Sequence, residues 1–144
     1  MIAHSDLLRL ELEARSFRDR AFVIRSNHSI GAAVLMSDGR IFGGCNIESV
    51  ISGLGVCAER AALQMAVAHG SCQPRALVIY DDVLLWPCGV CLQYFLQFVQ
   101  IDGTDVEIIT VAASGERAQK KLSELLPNGY QSEHLAKALL AYKK

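Results

Sequence analysis

Short apolar runs alternate with helix-like segments along this chain, and this alternation limits its fold more than any other feature. Strand-like apolar runs cover 32–36, 76–80 and 106–111. A Ser37-Asp38-Gly39 turn after the first run leads into a further strand-like segment over 41–46, which predicts a β-hairpin. Helix-like segments then separate the hairpin from the other two runs. This order predicts an α/β fold in which a mixed sheet carries helices on its faces.

The helix-like segments are identified by the spacing of their apolar residues. Over 5–24 these residues recur every three or four positions, with Ser5 as the expected N-cap. Similar patterns predict helices over 57–69 and 88–99. From Arg117 onward the sequence predicts only short helical pieces.

The length and charge of the chain exclude several classes of protein. Its 144 residues, 51% of them hydrophobic, suit one domain covering 1–144. With 14 Lys and Arg against 15 Asp and Glu, the net charge of -1 disfavours nucleic acid as a partner. No apolar run approaches the roughly 18 residues that a membrane span needs. We therefore expect a cytoplasmic protein with neither a nucleic acid nor a membrane partner.

Five cysteines, an odd number in a chain with no recognisable secretory signal, favour metal binding or reactive thiols over disulfides. The segments 57–60 (Cys-Ala-Glu-Arg) and 87–91 (Pro-Cys-Gly-Val-Cys) lie where helices are predicted to begin, and helix N-termini stabilise thiolates. A Cys-x-x-Cys pair alone equally fits a redox pair or half of a structural zinc ribbon. With Cys57 as a third donor, the set predicts an open tetrahedral zinc site, the layout of a catalytic centre.

Two charged residues follow Cys57 closely. Glu59 is the expected proton shuttle between a water molecule and the substrate. Arg60 is the expected cation that offsets the negative charge of three thiolates, by donating hydrogen bonds to the ligand sulfurs. Both residue types are also common on solvated helix surfaces, so their roles depend on the cysteines beside them.

Taken together, these residues resemble the cytidine deaminase family, specifically its short branch with an all-cysteine zinc site. The match lies in the Cys-Ala-Glu and Pro-Cys-x-x-Cys segments, in the Gly-Cys-Asn-Ile-Glu segment at 44–48, and in Leu-Leu-Pro at 125–127. The resemblance implies a three-layer α/β/α fold with a mixed sheet of about five strands. It also implies one zinc per chain, held by Cys57, Cys88 and Cys91, with Glu59 as general acid and base in the hydrolysis of cytidine or deoxycytidine to the uridine nucleoside and ammonia.

The same resemblance assigns residues to substrate binding and assembly. Asn46 and Glu48 are expected to bind the ribose hydroxyls, and the backbone at Ala58 to face the base. Tyr130 is expected to reach into the active site of a neighbouring subunit, because the short branch forms homotetramers with shared active sites. The expected partner is a small nucleoside together with further copies of this chain.

Three positions depart from the family pattern, which usually has Phe, Tyr and Arg where His28, Ser52 and Leu92 stand. His28 is expected to form a wall of the base pocket, with a polar and titratable face in place of a phenyl ring. Trp86, just before Pro87, is a candidate for a replacement ring at the pocket mouth.

Two alternative functions stay open at this point. The Leu-Leu-Pro-Asn-Gly-Tyr segment at 125–130 also resembles the blasticidin-type nucleoside deaminases, so the substrate could be a modified cytosine nucleoside or another aminated heterocycle. The other alternative is a non-catalytic zinc-fold module that binds nucleosides. Glu59 disfavours the second alternative, and the Asn46–Glu48 pair favours a ribose-bearing substrate.

Overall fold

The computed structural model describes all residues from 1 to 144. A five-stranded sheet forms the centre of the chain, in the order β2-β1-β3-β4-β5. The elements, in chain order, are α1 (His4–Arg18), β1 (Gly31–Met36), β2 (Ile41–Cys45), α2 (Ala58–Ala68), β3 (Pro74–Asp81), α3 (Gly89–Val99), β4 (Glu107–Ala112), β5 (Arg117–Lys121), α4 (Leu122–Leu125) and α5 (Ala136–Leu140). No helix among them has the length and apolar character needed to cross a bilayer.

The sheet is mixed, as the sequence predicts. Strand β1 pairs antiparallel with both β2 and β3, and β4 pairs antiparallel with β5. Strands β3 and β4 are parallel, so the chain must cross over between them, and α3 provides that crossover. Because β3 and β4 run in the same direction, the loops that follow them leave from one edge of the sheet.

Helices cover both faces of the sheet and give three layers, which confirms the predicted α/β/α architecture. On one face the even-numbered side chains of β1, such as Val34, pack with Leu63 of α2 and Phe95 of α3. On the other face Ala33 and Leu35 pack with Leu10 and Ala14 of α1. This division follows from the two-residue period of a strand, which sends alternate side chains to opposite faces.

The close contact between β2 and α2 depends on Gly44. A Cβ atom at this position would overlap the backbone of Ala58 and Ala62. Only glycine therefore allows the first turns of α2 to lie directly on the sheet, and these turns carry Glu59.

The first helix differs from its prediction at both ends. It begins after Ala3 rather than at an N-cap of Ser5, and Ala3 caps it through its carbonyl oxygen, which accepts from the backbone N–H groups of Asp6 and Leu7. It ends at Arg18 rather than near residue 24. The apolar spacing continues past Arg18, but the residues after it pair with another segment and do not extend the helix. Phe22 exchanges backbone hydrogen bonds with the segment 46–48.

The segment from Arg117 to Lys121 is a strand and not a short helical piece, so that part of the prediction is wrong. Its sequence, Arg-Ala-Gln-Lys-Lys, has no alternating apolar face, because β5 is an edge strand whose side chains are mostly exposed. Backbone pairing with β4 and a hydrogen bond from the Gln119 amide to Glu107 hold it in place. The short helices α4 and α5 beyond it agree with the prediction for the tail.

Candidate metal centre

Two loops bring the three predicted cysteine ligands together. One loop connects β2 to α2 and ends at Cys57, and the other connects β3 to α3 and ends at Cys88. Both residues occupy the N-cap position of their helix with extended backbone, and Cys91 lies in the first turn of α3. The positive ends of two helix dipoles therefore point towards one cluster of sulfur atoms.

The geometry of the sulfur cluster fits a zinc ion. The ligand atoms of Cys57, Cys88 and Cys91 all lie within 4.8 Å of one another, and the Sγ atoms of Cys88 and Cys91 are 3.6 Å apart. Zn–S bonds of about 2.3 Å in tetrahedral geometry place two sulfurs about 3.8 Å apart. All three cysteines are free thiols, so no disulfide competes for them.

Arg60 supplies positive charge to this cluster. Its interactions with the sulfurs of Cys57 and Cys91 outweigh the effect of burial and raise the pKa of the guanidinium. Its Nε is buried and has no hydrogen-bond partner within the chain. Leu92, at the position where the family usually has Arg, is instead buried in the core beside α2. The cation near the sulfurs therefore comes from α2 and not from α3.

The same contacts set the protonation of the thiols. The hydrogen bond with Cys91, followed by those with Arg60 and Cys88, lowers the pKa of Cys57 to about 5 against the opposing effect of burial. The contact with Cys57 and burial raise the pKa of Cys91. One thiolate is thus already favoured in the cluster, and a thiolate is the form that binds a metal.

Glu59 projects from the start of α2 and is 6% exposed. Burial, reinforced by the charge of Cys57, raises the pKa of its carboxyl to about 7, although its own backbone N–H and Arg60 oppose the shift. A carboxyl with a pKa near neutral pH can both accept and donate a proton, which is the property that general acid–base catalysis requires.

A cavity of about 530 Å³ opens beside the cluster. This volume lies within the range of small-molecule sites. Several residues predicted from the sequence line it together: Asn46, Glu48, Cys57, Ala58, Glu59, Arg60 and Cys88. Residues that the sequence analysis left unassigned, Leu85 and Val90, also line it. Their position on either side of the Pro-Cys segment is the sequence signal that could have identified them.

Asn46 and Glu48 fasten the cavity wall to the loop that precedes β1. The Asn46 side chain accepts from the backbone N–H of Ile30 at 2.9 Å and donates to the carbonyl oxygen of His28 at 2.8 Å. The Glu48 carboxylate accepts backbone N–H bonds from residues 24–26 at 2.6–3.3 Å. The hydrogen bonds from Ser26 and from the backbone of 24–26 outweigh burial and lower the pKa of Glu48 to about 2, so it stays ionised at neutral pH.

The structure does not bring His28 or Tyr130 into this cavity. The His28 Nε2 atom lies 2.6 Å from Oδ2 of Asp81, a fully buried carboxylate at the end of β3 that also contacts Arg18. Tyr130 is 71% exposed and lines a separate cavity along α3. Their substrate contacts therefore stay predictions. Asp81 was missed, although it is the first charged residue after the apolar run at 76–80.

Comparison with known proteins gives consistent results. A family model described as the cytidine and deoxycytidylate deaminase zinc-binding region matches residues 5–118. A cytidine deaminase of Sporosarcina psychrophila is 32% identical over 135 residues, covering 92% of this chain and 97% of the relative. A cytidine deaminase of Halalkalibacterium halodurans is 34% identical over 125 residues, covering 85% and 92%.

Solved structures agree with these sequence matches. The crystal structure of a cytidine deaminase from Burkholderia pseudomallei superposes with a TM-score of 0.78 at 29% identity, covering 90% of this chain and all of the other. A cytidine deaminase from Mycobacterium tuberculosis gives a TM-score of 0.73 at 30% identity, over 88% of this chain and 98% of the other. The similarity therefore extends over nearly the whole fold as well as the cysteine segments.

Proposed function

The chain belongs to the cytidine and deoxycytidylate deaminase zinc-binding family, and we propose from this membership that it hydrolyses cytidine or deoxycytidine to the uridine nucleoside and ammonia. It is a zinc-dependent nucleoside deaminase. One observation carries the proposal: a buried Glu59 lies beside three clustered cysteine sulfurs and lines a cavity large enough for a nucleoside. This arrangement disfavours a module that only binds, because a buried carboxylate with no catalytic task costs stability.

Cys57, Cys88 and Cys91 would hold the zinc ion, one per chain. When bound, zinc supplies the Lewis acidity that lets a water molecule act as a nucleophile near neutral pH. Arg60 keeps the three thiolates compatible with that role, because hydrogen bonds to a thiolate withdraw electron density from the sulfur.

Glu59 moves protons in the reaction. Its carboxylate accepts a proton from the attacking water and delivers it to N3 of the cytosine ring. The water oxygen meanwhile bonds to C4. Glu59 then carries the proton of the resulting C4 hydroxyl group to the 4-amino nitrogen, the C4–N4 bond breaks, and ammonia leaves as a carbonyl forms at C4. Water adds an oxygen at C4 and ammonia departs, so the atoms balance without an oxidant or reductant.

The remaining cavity residues orient the nucleoside. The Asn46 amide group donates one of its two hydrogens to the carbonyl oxygen of His28, so the second hydrogen is available for a ribose hydroxyl. The ionised Glu48 is an acceptor for another hydroxyl. The backbone at Ala58, in the first turn of α2, would face the base.

The chain would function as a homotetramer with shared active sites. The loop beside the cavity exposes apolar side chains, with Val50 at 84%, Ile51 at 62% and Leu54 at 67% exposure. A cluster of exposed apolar residues usually marks an interface. Tyr130, which is exposed and outside its own chain's cavity, would contact a neighbouring site in this assembly.

Residues 1–144 would act as one deaminase domain, since the five strands form a single sheet. Five unpaired cysteines suit a reducing compartment such as the cytoplasm. A uridine nucleoside as product suits pyrimidine salvage.

Ammonia release tests the function directly. The zinc-loaded protein is mixed with cytidine, deoxycytidine, free cytosine and a modified cytosine nucleoside, and ammonia and the shift in ultraviolet absorbance are followed. We expect turnover of cytidine and deoxycytidine and little turnover of cytosine, which lacks the ribose that Asn46 and Glu48 bind. Turnover of the modified nucleoside alone would replace the proposal with the blasticidin-type alternative.

A further inference from the structure

Trp86 is the only aromatic residue that lines the cavity. The other lining residues are aliphatic, small, polar or sulfur-bearing, and they include Ile30, Val56 and Leu85. A cytosine ring exposes two flat apolar faces, and an aromatic side chain is the surface best suited to cover one of them. Within one chain, Trp86 alone offers an aromatic ring to the cavity.

The position of Trp86 is fixed from several sides. The preceding residue, Leu85, donates its backbone N–H to the Thr110 hydroxyl at 2.9 Å, and Thr110 is fully buried on β4. The indole is half-buried against the core, and the Lys120 ammonium lies 5.7 Å from its ring centroid. Because the ring is already ordered, binding a base against it costs little conformational entropy.

The two aromatic alternatives lie elsewhere. The His28 imidazole is held by Asp81 and does not line the cavity. Tyr130 hydrogen-bonds through its backbone to the Gln93 side chain and lines a different cavity. Neither ring of the same chain can therefore stack on a base that lies beside Glu59.

We propose that the Trp86 indole is the stacking platform for the cytosine ring and thereby a determinant of substrate specificity. This inference rests on the proposed function, since it names how that site holds its base. Trp86 lies two residues before Cys88, so a base stacked on it is held next to the cysteine cluster. The stacking acts on binding and leaves the proton transfers to Glu59.

The chain contains a single tryptophan, so emission excited at wavelengths that tyrosine does not absorb reports on Trp86 alone. The zinc-loaded Glu59→Gln protein is titrated with cytidine, with free ribose as the control ligand. We expect saturable quenching with cytidine and none with ribose. Saturable cytidine binding by calorimetry with unchanged tryptophan emission would overturn the inference.

Kinetic variants give a second test. Trp86→Leu is expected to raise KM for cytidine about tenfold while kcat changes by less than about threefold, and Trp86→Phe is expected to recover most of the loss. Phe98→Leu is the matched control, because Phe98 packs against the same core but does not line the cavity. An unchanged KM in a folded, zinc-loaded Trp86→Leu protein would refute stacking.

The two proposals fail in different ways. If the parent protein releases ammonia from cytidine but neither quenching nor a KM change is seen, only the role of Trp86 is wrong. If the parent protein with full zinc content releases no ammonia from any nucleoside, the proposed function is wrong, and the inference that depends on it is refuted too.

Discussion

At the scale of single residues, the contrast between Glu59 and Arg60 explains how one helix start serves two chemical purposes. Both residues line the cavity, but Glu59 is buried, whereas Arg60 is half-buried and its guanidinium interacts with the sulfurs of Cys57 and Cys91. Adjacent positions on a helix point about 100° apart, so two consecutive residues at the start of α2 can serve different partners.

Glu59→Gln is expected to lower kcat for cytidine by about 100- to 10,000-fold, because the amide can neither accept nor deliver the proton. Zinc content and cytidine binding should stay near those of the parent protein. Steady-state kinetics, metal analysis and calorimetric titration measure the three quantities. Activity within tenfold of the parent would show that another group moves the proton.

Arg60→Met is expected to weaken zinc binding by about 10- to 100-fold, since the thiolates lose a cation that interacts with two of them. Competition with a chromogenic chelator measures the affinity. Arg60→Lys is the matched control, because it keeps the charge and should retain more of the affinity. Equal affinity in the Met variant would mean that the guanidinium only packs against the sulfurs.

At the scale of elements, the loop before β1 is fastened to the sheet by charged groups. His28 and Arg18 both reach Asp81, and Arg18 also bonds Asp82 at 2.9 Å. The backbone of the same loop binds the Asn46 amide and the Glu48 carboxylate. The loop therefore connects α1, β2 and β3 at the edge of the sheet where the cavity opens.

His28→Phe is expected to destabilise the protein by about 1–3 kcal/mol, because it removes a hydrogen-bond partner from the fully buried Asp81. The free energy of unfolding in urea measures this effect, and His134→Phe, at an exposed position, is the control. We expect kcat/KM for cytidine to change less than about threefold. A tenfold rise would instead place residue 28 against the base, as the sequence predicts.

The loop between α3 and β4 depends on Asp102. Its carboxylate lies 2.6 Å from both Arg75 and Gln73, and it also accepts from the backbone N–H of Thr104. Burial raises its pKa, but these hydrogen bonds outweigh burial and hold the pKa at about 2, below the usual 3.8. A lowered folded-state pKa stabilises the native state above the unfolded-state value, and this contribution is lost as the pH falls towards 2.

Asp102→Asn is therefore expected to be less stable than the parent at pH 6, with the difference shrinking as the pH falls from about 4 towards 2. Urea unfolding of both proteins at several pH values measures the difference. Loss of metal at low pH affects both proteins alike and cancels in the comparison. A difference that is independent of pH would mean that packing, not the charge, accounts for the effect.

At the scale of the whole molecule, the proposed homotetramer would cover the exposed apolar loop beside the cavity, so we expect activity to depend on assembly. We expect a mass about four times the 15.7 kDa of one chain, measured by light scattering after size exclusion. The double change Ile51→Glu and Leu54→Glu is expected to yield smaller species with reduced activity. Leu12→Glu, at a 72% exposed position on α1, is the control and should leave the mass unchanged.

The sequence by itself determined the architecture and the metal ligands. Strands β1, β3 and β4 are buried on both faces and therefore appear as apolar runs, and helices α2 and α3 begin at the cysteine segments. These patterns are local, because each one can be recognised within a single short segment of the sequence. The Cys-Ala-Glu and Pro-Cys-x-x-Cys motifs are local in the same sense, so the sequence could propose Cys57, Glu59, Cys88 and Cys91 for the site, while folding of the chain brings the two motifs together.

Tertiary structure alone decided the features that depend on distant partners. Strand β5 forms through backbone hydrogen bonds to β4. Its own sequence is polar and shows no alternation of apolar and polar residues that would predict a strand. Helix α1 ends at Arg18 because the following residues bind Glu48, 20 or more positions away. His28 contacts Asp81 across 53 positions, and the loop that carries Trp86 is bonded to Thr110 of β4, 25 positions away from Leu85. Such long-range contacts arise from folding of the whole chain, and local spacing does not encode them.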